Sequence, residues 1–352
     1  MNAVDILCLF GSPTNREMAE LSLVYTRGCI DALQADERFR FVLLHVAPGG
    51  VWSMPDAAQT TAIQRAPALS FAQAVAAIAK LPVAVGLPQM FCHAGMTSLR
   101  GLFDLLGIPY IGNPPVQMGL AADKRLARAV VAAAEVNVPS GIVVHADGPV
   151  PAVALPAIVK PAVADNSDGV SLVRAQEELR EALLTAWRFG DVALVEDFIE
   201  PGRELRCGII DRAGERVCLL PQEYPVDADV RPIRTRSDKL APTADGGLRL
   251  VAKDAASTWI VAPDDPVVPV LHEAALRCYR ALGCRQYGLF DFRIDRQNRA
   301  WFLEAGPYCS FSPQSVIVVM AEAAGISLPD LFAGMVDDAR QEFANTQDIV
   351  LH

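Results

Sequence analysis

The sequence predicts a mixed α/β and α+β fold of three packed units, and three observations carry this prediction. A chain of 352 residues is too long for a single ordinary core. Its first third alternates short β-branched runs with helical patterns, which is typical of a parallel sheet with helical crossovers. Its last third places strand patterns around tight polar turns, which favours antiparallel pairing.

The N-terminal unit is predicted to span residues 1–118 and to contain a Rossmann-like parallel sheet. Apolar runs at 5–10, Phe39–Val46 and 82–87 predict its strands, and a long helical pattern covers Arg16–Leu33. Ligands of such sheets collect at the carboxyl ends of the strands. We therefore expect this unit to contribute to a binding site.

The rest of the chain divides at a hinge that contains Pro201 and Gly202. Residues 119–199 predict a small α+β unit, and residues 200–352 predict an antiparallel sheet with helices. The predicted elements are a helix from Asp123, strands at 157–163, 170–173 and 192–199, a helix at 175–189, strands at 204–211 and 216–224, a helix at 267–282, strands at 287–295 and 300–306, and a helix at 314–324.

Composition and charge exclude several classes of protein. The chain has 31 basic and 41 acidic residues, and its net charge of -10 repels phosphodiester backbones, so we expect no nucleic-acid partner. Its eight cysteines lack zinc-type spacing and predict buried thiols in a reducing compartment. Because no targeting pattern or long apolar run occurs, we expect a soluble cytoplasmic protein with no membrane association.

Two carboxylates lie in the last two predicted strands, YGLFDFRID and AWFLEAG. Strict alternation places Asp291 on one face with Arg293, and Glu304 on one face with Phe302. If the strands form a hairpin, Asp291 and Glu304 lie close together among aromatic residues, where a divalent cation such as Mg²⁺ would neutralise them. Alternatively, one pairs with Arg293 and the other faces solvent, and spacing alone favours this second interpretation.

Other charged residues lie at predicted helix or strand ends. Lys124 follows a helix start and Lys160 ends an apolar run, so either could meet an anion. The turn AVADNSDG is of a type that lays backbone amides over phosphates, and also of a type found in ordinary hairpins. Glu196 and Glu204 flank the hinge, where carboxylates can hold ribose hydroxyls or an adenine amino group. Taken alone, each of these features is also consistent with solvated residues on the surface.

Taken in order, these signals resemble the sequence layout of the ATP-grasp superfamily, and most of all that of D-alanine–D-alanine ligases. The matching segments are Asp123 with Lys124, Lys160 with its polar loop, VEDFIEPGREL, DFRID and FLEAG. The segments HAGMTSLRGLFDLLGIPYIGN and PQSVIVVMAEAAGISLPDLF extend the resemblance over nearly the whole chain. It implies a three-subdomain ATP-grasp architecture and the binding of ATP, and is much less specific for the substrate.

The resemblance implies a role for each residue around the nucleotide. Phosphates would meet Lys124, Lys160 and Ser167, and ribose would meet Glu204. The residues that would lie along adenine are consecutive, and they are Glu196, Asp197, Phe198 and Ile199. The phosphate loop carries Asp165 and Asp168 where the family has glycine and serine, so these acids are expected to point outward or to bind metal.

The resemblance also implies a metal site and a substrate site. Asp291 and Glu304 would ligate Mg²⁺, and Ser315 would bind the carboxylate of the amine-donating substrate. The basic loop 231–239, with Arg236 among its charges, would close over the phosphates and exclude water. A solvated loop of mixed charge is the alternative.

Departures from the family cluster around the substrate and the metal. Asn15 stands where a glutamate would hold the ammonium group of the first amino acid, and an amide supplies no such charge. Gly306 replaces an asparagine ligand of the second Mg²⁺, which brings occupancy by two metals into question. Leu289 replaces an arginine, and Arg293 is predicted either to replace that cation or to form an ion pair.

These observations predict an ATP-dependent carboxylate–amine ligase that uses Mg²⁺, forms an amide or peptide bond through an acyl phosphate, and takes a first substrate other than D-alanine. The resemblance implies a homodimer. One alternative is an intramolecular ring-closing ligase, and another is a non-catalytic nucleotide-binding relative that acts as a partner protein. The departures support the partner protein, whereas the two retained lysines and two metal carboxylates oppose it.

Overall fold

The computed structural model describes residues 3–164, 167–200, 202–227, 230–234, 240–242, 248–250 and 257–350. The elements of the N-terminal part are β1 (Val4–Gly11), α1 (Arg16–Leu33), β2 (Phe39–Val46), β3 (Trp52–Ser53), α2 (Thr60–Arg65), α3 (Phe71–Ile78), β4 (Val85–Gln89), α4 (His93–Met96), α5 (Gly101–Leu106) and α6 (Pro115–Ala122). Their sheet has the order β3–β2–β1–β4. Strand β1 pairs in parallel with β2 and β4, which confirms the predicted parallel sheet.

An antiparallel sheet forms the middle of the chain. Its elements are α7 (Lys124–Ala133), β5 (Gly141–His145), β6 (Ala157–Pro161), β7 (Ser171–Val173), α8 (Leu179–Ala186) and β8 (Val192–Asp197). The order β5–β8–β6–β7 places β5 at an edge, with most of its side chains exposed. The sequence analysis missed this strand, although its run 142–144 is β-branched throughout. The buried face of α8 covers this sheet with Leu179 and Leu183.

The third sheet follows the hinge. The elements of this part are β9 (Arg203–Arg212), β10 (Glu215–Cys218), β11 (Gln222–Tyr224), β12 (Leu240–Pro242), β13 (Leu248–Leu250), β14 (Trp259–Ile260), α9 (Val267–Ala281), β15 (Tyr287–Ile294), β16 (Ala300–Ala305), α10 (Val316–Ala323) and α11 (Leu328–Val350). The sheet runs β14–β11–β9–β15–β16, with β10 also paired to β9, and β12 pairs with β13. All of these pairings are antiparallel, as predicted.

Two helices join the predicted units through their buried faces. The α7 residues Ala127 and Val131 belong to the same apolar cluster as Leu205 and Phe292 of the third sheet. Helix α11, which the sequence did not predict, packs Phe332 edge-on against Phe39 of the N-terminal sheet, with 5.0 Å between ring centroids. The limits at residues 118 and 199 stay a prediction.

The hairpin of β15 and β16 contains a β-bulge. Asp291 pairs with Glu304 while Phe292 pairs with Phe302, so Leu303 has no partner in the register. The extra residue places Phe302 in the core with Phe292 and Glu304 on the opposite face with Asp291. The prediction that Phe302 and Glu304 share a face is therefore wrong, because strict alternation does not anticipate a bulge.

None of the helices in the described ranges is alone both long and apolar enough to cross a bilayer, although α10 and Leu328–Asn345, bent by 110°, pass the criteria of length and composition together.

Candidate nucleotide and metal site

A cavity of about 800 Å³, including its mouth, lies between the middle sheet and the third sheet. Its lining combines apolar and charged side chains, as in a small-molecule site. Its wall includes every described residue that the sequence nominated for nucleotide or metal, together with Arg293. These residues are Lys124, Lys160, Ser167, Glu196, Asp197, Phe198, Ile199, Glu204, Asp291, Arg293 and Glu304.

Lys160 is positioned by β6 and held by a buried carboxylate. Its Nζ lies 2.5 Å from Oε2 of Glu196, which is only 4% exposed, and Arg128 Nε lies 3.2 Å from Oε1 of the same group. Lys160 also donates to the carbonyl of Leu303 at 3.3 Å. The β-bulge leaves Leu303 without a partner in the register of the ladder. The carbonyl oxygen that accepts the hydrogen bond from Lys160 therefore belongs to the bulged residue in the cavity wall.

Lys124 begins α7 behind the N-cap residue Asp123, whose carboxylate accepts from the backbone of Arg125. Its ammonium group donates to the carbonyl of Ala164 in the polar turn and lies 3.7 Å from Oε2 of Glu304. One lysine therefore joins the middle unit to the last strand. Lys124 and Lys160 bring two positive charges to one cavity wall, which suits a polyphosphate.

Asp291 faces Arg206 across the pairing of β15 with β9. Arg206 Nε lies 2.6 Å from Oδ1 of Asp291, and Nη2 donates to Oδ2 at 2.8 Å. Burial is the largest single influence on Arg206 and opposes its charge, but Asp291, Tyr224 and Glu304 together outweigh it and raise the pKa of Arg206 well above its ordinary value. The sequence analysis missed Arg206, although its position two residues after Glu204 on the same strand face could have indicated it.

Arg293 lies beside Glu204, its register partner on β9. Arg293 Nη2 donates to Glu204 at 2.5 Å, and Nη1 donates to the carbonyls of Ile199 and Pro232 at 3.2 and 3.1 Å. Arg234 Nη1 lies 3.8 Å from the other oxygen of Glu204. The sequence predicted that Arg293 either replaces the missing cation or forms an ion pair. The structure contains the ion pair, and the cation beside Asp291 is Arg206.

The polar turn after Lys160 approaches the cavity with left-handed backbone. Ser167 and Gly169 have φ angles of 62° and 70°, and a Cβ at Gly169 would lie 2.7 Å from Pro161. Ser167 and Asp168 both line the cavity. The expectation that Asp168 points outward or binds metal stays a prediction. Asp165 lies outside the described residues.

One nominated residue, Ser315, is not found at this cavity, and another, Arg236, lies outside the described residues. Ser315 immediately precedes α10, its Oγ lies 3.5 Å from Cys309 Sγ, and it is not among the residues that line the cavity. Arg236 and the basic loop from residue 235 onward lie outside the described residues. Their predicted roles stay predictions.

The donor set fits one magnesium ion held together with a nucleotide. In the part of the chain that the structure describes, no group of three or more His, Cys, Asp or Glu is arranged to hold a metal. Asp291 and Glu304 instead form a pair on adjacent strands. Mg²⁺ commonly binds through one or two carboxylates and completes its octahedron with phosphate oxygens and water. Gly306 has no side chain to add a ligand for a second ion.

Comparisons with known proteins agree with this geometry. Residues 147–337 match the family model described as the D-ala D-ala ligase C-terminus. The D-alanine–D-alanine ligase of Gluconobacter oxydans is 33% identical over 248 residues, which cover 69% of this chain and 76% of that protein. The D-alanine-D-alanine ligase of Coxiella burnetii has a TM-score of 0.77 at 17% identity, covering 99% of this chain and 97% of its own. The VanG D-Ala:D-Ser ligase of Enterococcus faecalis has a TM-score of 0.75 at 20% identity, covering 97% and 99%.

Proposed function

The chain belongs to the D-alanine–D-alanine ligase family of ATP-grasp enzymes, and from that premise we propose that it joins a carboxylic acid other than D-alanine to an amine. Members of this family are ATP-dependent carbon–nitrogen ligases that use ATP and Mg²⁺. The observation that carries the proposal is the single cavity whose wall combines Lys124, Lys160, Asp291 and Glu304. The absence of an acid at Asn15 supports a first substrate without the usual ammonium group.

The proposed reaction has two steps that balance without a covalent enzyme intermediate. A carboxylate oxygen attacks the terminal phosphorus of ATP, and the bond to the β-phosphate oxygen breaks to release ADP and leave an acyl phosphate. The amine nitrogen then attacks the acyl carbon, phosphate departs, and the nitrogen loses a proton as the amide forms. Both steps depend on positioning and on charge neutralisation.

The residues of the chain divide these tasks in the proposal. Lys124 and Lys160 bind phosphate oxygens, and Glu196 orients Lys160 through their 2.5 Å contact. Phe198 and Ile199 flank the base, and Glu204 accepts from a ribose hydroxyl while Arg293 holds it in place. When bound by Asp291 and Glu304, Mg²⁺ would shield phosphate charge. Arg206 offsets the charge of Asp291 and so limits the repulsion between the two acids.

The proposal extends to a homodimer in a reducing cytoplasm. The eight cysteines are all free, and six of them are buried, which supports a reducing compartment. The dimer rests on the resemblance to the family. Sedimentation velocity at micromolar protein concentration tests it, and a single monomeric species would contradict it.

A screen for ADP release tests the enzymatic part of the proposal. Pairs of carboxylic acids and amines are incubated with ATP and Mg²⁺, with Glu304→Gln as the inactive control. We expect ADP release that requires an added acid and that is lower with D-alanine than with the best acid. ATP binding without ADP release from any pair would contradict the proposal and favour a partner protein.

A further inference from the structure

A second, smaller cavity adjoins the nucleotide cavity. It has about 320 Å³ of open space, and Lys124 and Glu304 line both cavities. We propose that this small cavity binds the acyl substrate, and that the substrate is a small carboxylic acid whose remaining part is apolar and uncharged. The inference rests on the proposed function and specifies its substrate class.

The shared residues define how the acid would enter. Lys124 extends from the start of α7 and Glu304 from β16, and their charged groups lie 3.7 Å apart. An acid whose carboxylate lies at this end would reach both the lysine and the phosphate end of the nucleotide cavity. The negative carboxylate would be attracted by Lys124, so the remaining part of the acid would occupy the rest of the small cavity.

The other side chains of that wall are uncharged and mostly apolar. They come from α4, α6 and the segment after β16, and these are Met96, Met118, Ala121, Ala122, Pro307 and Tyr308, together with Ala305 of β16. Met96 is 6% exposed and Met118 is 1% exposed, so both present thioether and methylene groups inside the protein. Methionine adapts its shape to irregular apolar ligands.

Aromatic packing fixes the position of Tyr308 in this wall. Its ring lies 5.5 Å from that of Phe91, which lies 4.9 Å from that of Tyr25. A Cβ placed at Gly306 would lie 3.5 Å from the Tyr308 ring. This is an ordinary van der Waals distance, so the Tyr308 ring lies against the end of β16.

Charge excludes an ordinary amino acid from this cavity. Among the described residues, Glu304 is the only acidic side chain that lines it, and its carboxylate already forms an ion pair with Lys124. An ammonium group enclosed beside Met96, Met118 and Tyr308 would lose its water without gaining a counterion of its own. An apolar group gains roughly 25 cal/mol for each Å² that it buries there. The open space of about 320 Å³ includes the mouth of the cavity, so only a small acid fits inside it.

Matched pairs of acids test the inference. Propanoate is compared with D- and L-alanine, and 3-phenylpropanoate with D- and L-phenylalanine, using hydroxylamine as a general amine so that the natural amine need not be known. ADP and hydroxamate are both measured. We expect kcat/KM at least roughly 10-fold higher for the acid that lacks the amino group, because one uncompensated ammonium costs more than 1.4 kcal/mol.

A charge placed in the wall should reverse the preference. Tyr308→Asp supplies a counterion for an ammonium group, and Tyr308→Asn makes the same change of shape without the charge. We expect the amino acid to gain at least about 10-fold relative to its matched acid in the aspartate variant compared with the asparagine variant. Stabilisation by AMP-PNP with Mg²⁺ confirms that each variant is folded and binds nucleotide.

The possible results distinguish a failure of the substrate inference from a failure of the proposed ligase activity. ADP release with equal or higher kcat/KM for the amino acids would leave the ligase activity intact and overturn the apolar substrate class. An unchanged preference in Tyr308→Asp relative to Tyr308→Asn would also overturn the placement of the substrate. If no acid yields ADP or hydroxamate while nucleotide still binds, the ligase proposal fails and the substrate inference fails with it.

Discussion

The two adjoining cavities differ in the number of charged side chains in their walls. The nucleotide cavity contains ion pairs between Lys160 and Glu196, between Arg206 and Asp291, and between Arg293 and Glu204. Of the described residues that line the small cavity, only Lys124 and Glu304 are charged, and the others are mostly apolar. The contrast indicates two kinds of ligand, one with many charges and one with a single charge at one end.

This difference shows why strand register matters for function. Asp291, Arg206 and Glu304 lie on three neighbouring strands, and Arg293 and Glu204 form the next pair along. Buried charges are costly unless each has a partner. The sheet therefore supplies pre-arranged acids and cations at one cavity, while helices α4 and α6 supply the apolar wall of the other.

The largest effect is expected where the two cavities meet. Glu304→Gln keeps the shape of the side chain but removes the charge that faces Lys124 and would bind Mg²⁺. We expect kcat/KM to fall roughly 100- to 1,000-fold, as when one preorganised electrostatic contact is lost. Glu37→Gln, at an exposed position, is the matched control. An unchanged rate of ADP release would show that the two cavities do not share a functional acid.

A loss of stability should follow when Asp291 loses its contacts with Arg206. Arg206→Met removes both of these contacts from a carboxylate that is largely shielded from water, so we expect the free energy of unfolding to fall by about 3 kcal/mol. Arg277→Met removes an exposed pair with Glu273 and should cost less than about 0.5 kcal/mol. Urea unfolding measures both. Equal losses would mean that Arg206 has no special role.

His45 lines neither cavity, so it allows the pH dependence of folding stability to be tested independently of the site. Burial lowers the pKa of His45 from 6.5 to about 4. Because the unfolded state then binds more protons, the free energy of unfolding should fall as the pH drops from 6.5 towards 4. The loss should reach about 2 to 3 kcal/mol and be smaller in His45→Gln, but not in His145→Gln, which alters an exposed histidine. The same slope in all three proteins would exclude His45 as the cause.

The smallest effect is expected at the adenosine end of the nucleotide cavity. Arg293→Lys keeps a positive charge but cannot contact Glu204, Ile199 and Pro232 together with one ammonium group. The loss of about one charged hydrogen bond should weaken ATP binding roughly 10-fold. Calorimetric titration measures this, with the exposed Arg296→Lys as control. Unchanged affinity would show that Arg293 does not position Glu204 for nucleotide.

Local patterns predicted most of the strands, whereas the residues of the nucleotide cavity were nominated through the resemblance to the ATP-grasp superfamily. Period-two alternation in DFRID and FLEAG is visible over a few residues, and the β15–β16 pairing confirmed that Asp291 and Glu304 are neighbours. Arg206 was missed because its contact joins residues 85 apart and depends on register. The β-bulge at Leu303 and the packing of Phe332 on Phe39 likewise depend on tertiary structure.

The apolar cavity could not be predicted from the sequence. Met96, Met118 and Tyr308 are far apart in the chain and belong to no motif. Methionines and aromatic residues at such positions are also typical of an ordinary core. Only the folded arrangement shows that they face a space that ends at Lys124 and Glu304.

A crystal structure grown with AMP-PNP, Mg²⁺ and 3-phenylpropanoate tests the central claim most directly. We expect the triphosphate between Lys160 and Glu304, with the acid beside Met96 and Tyr308 and its carboxylate directed at Lys124. A nucleotide bound elsewhere, or an ordered triphosphate that touches neither lysine, would contradict the assignment of both cavities.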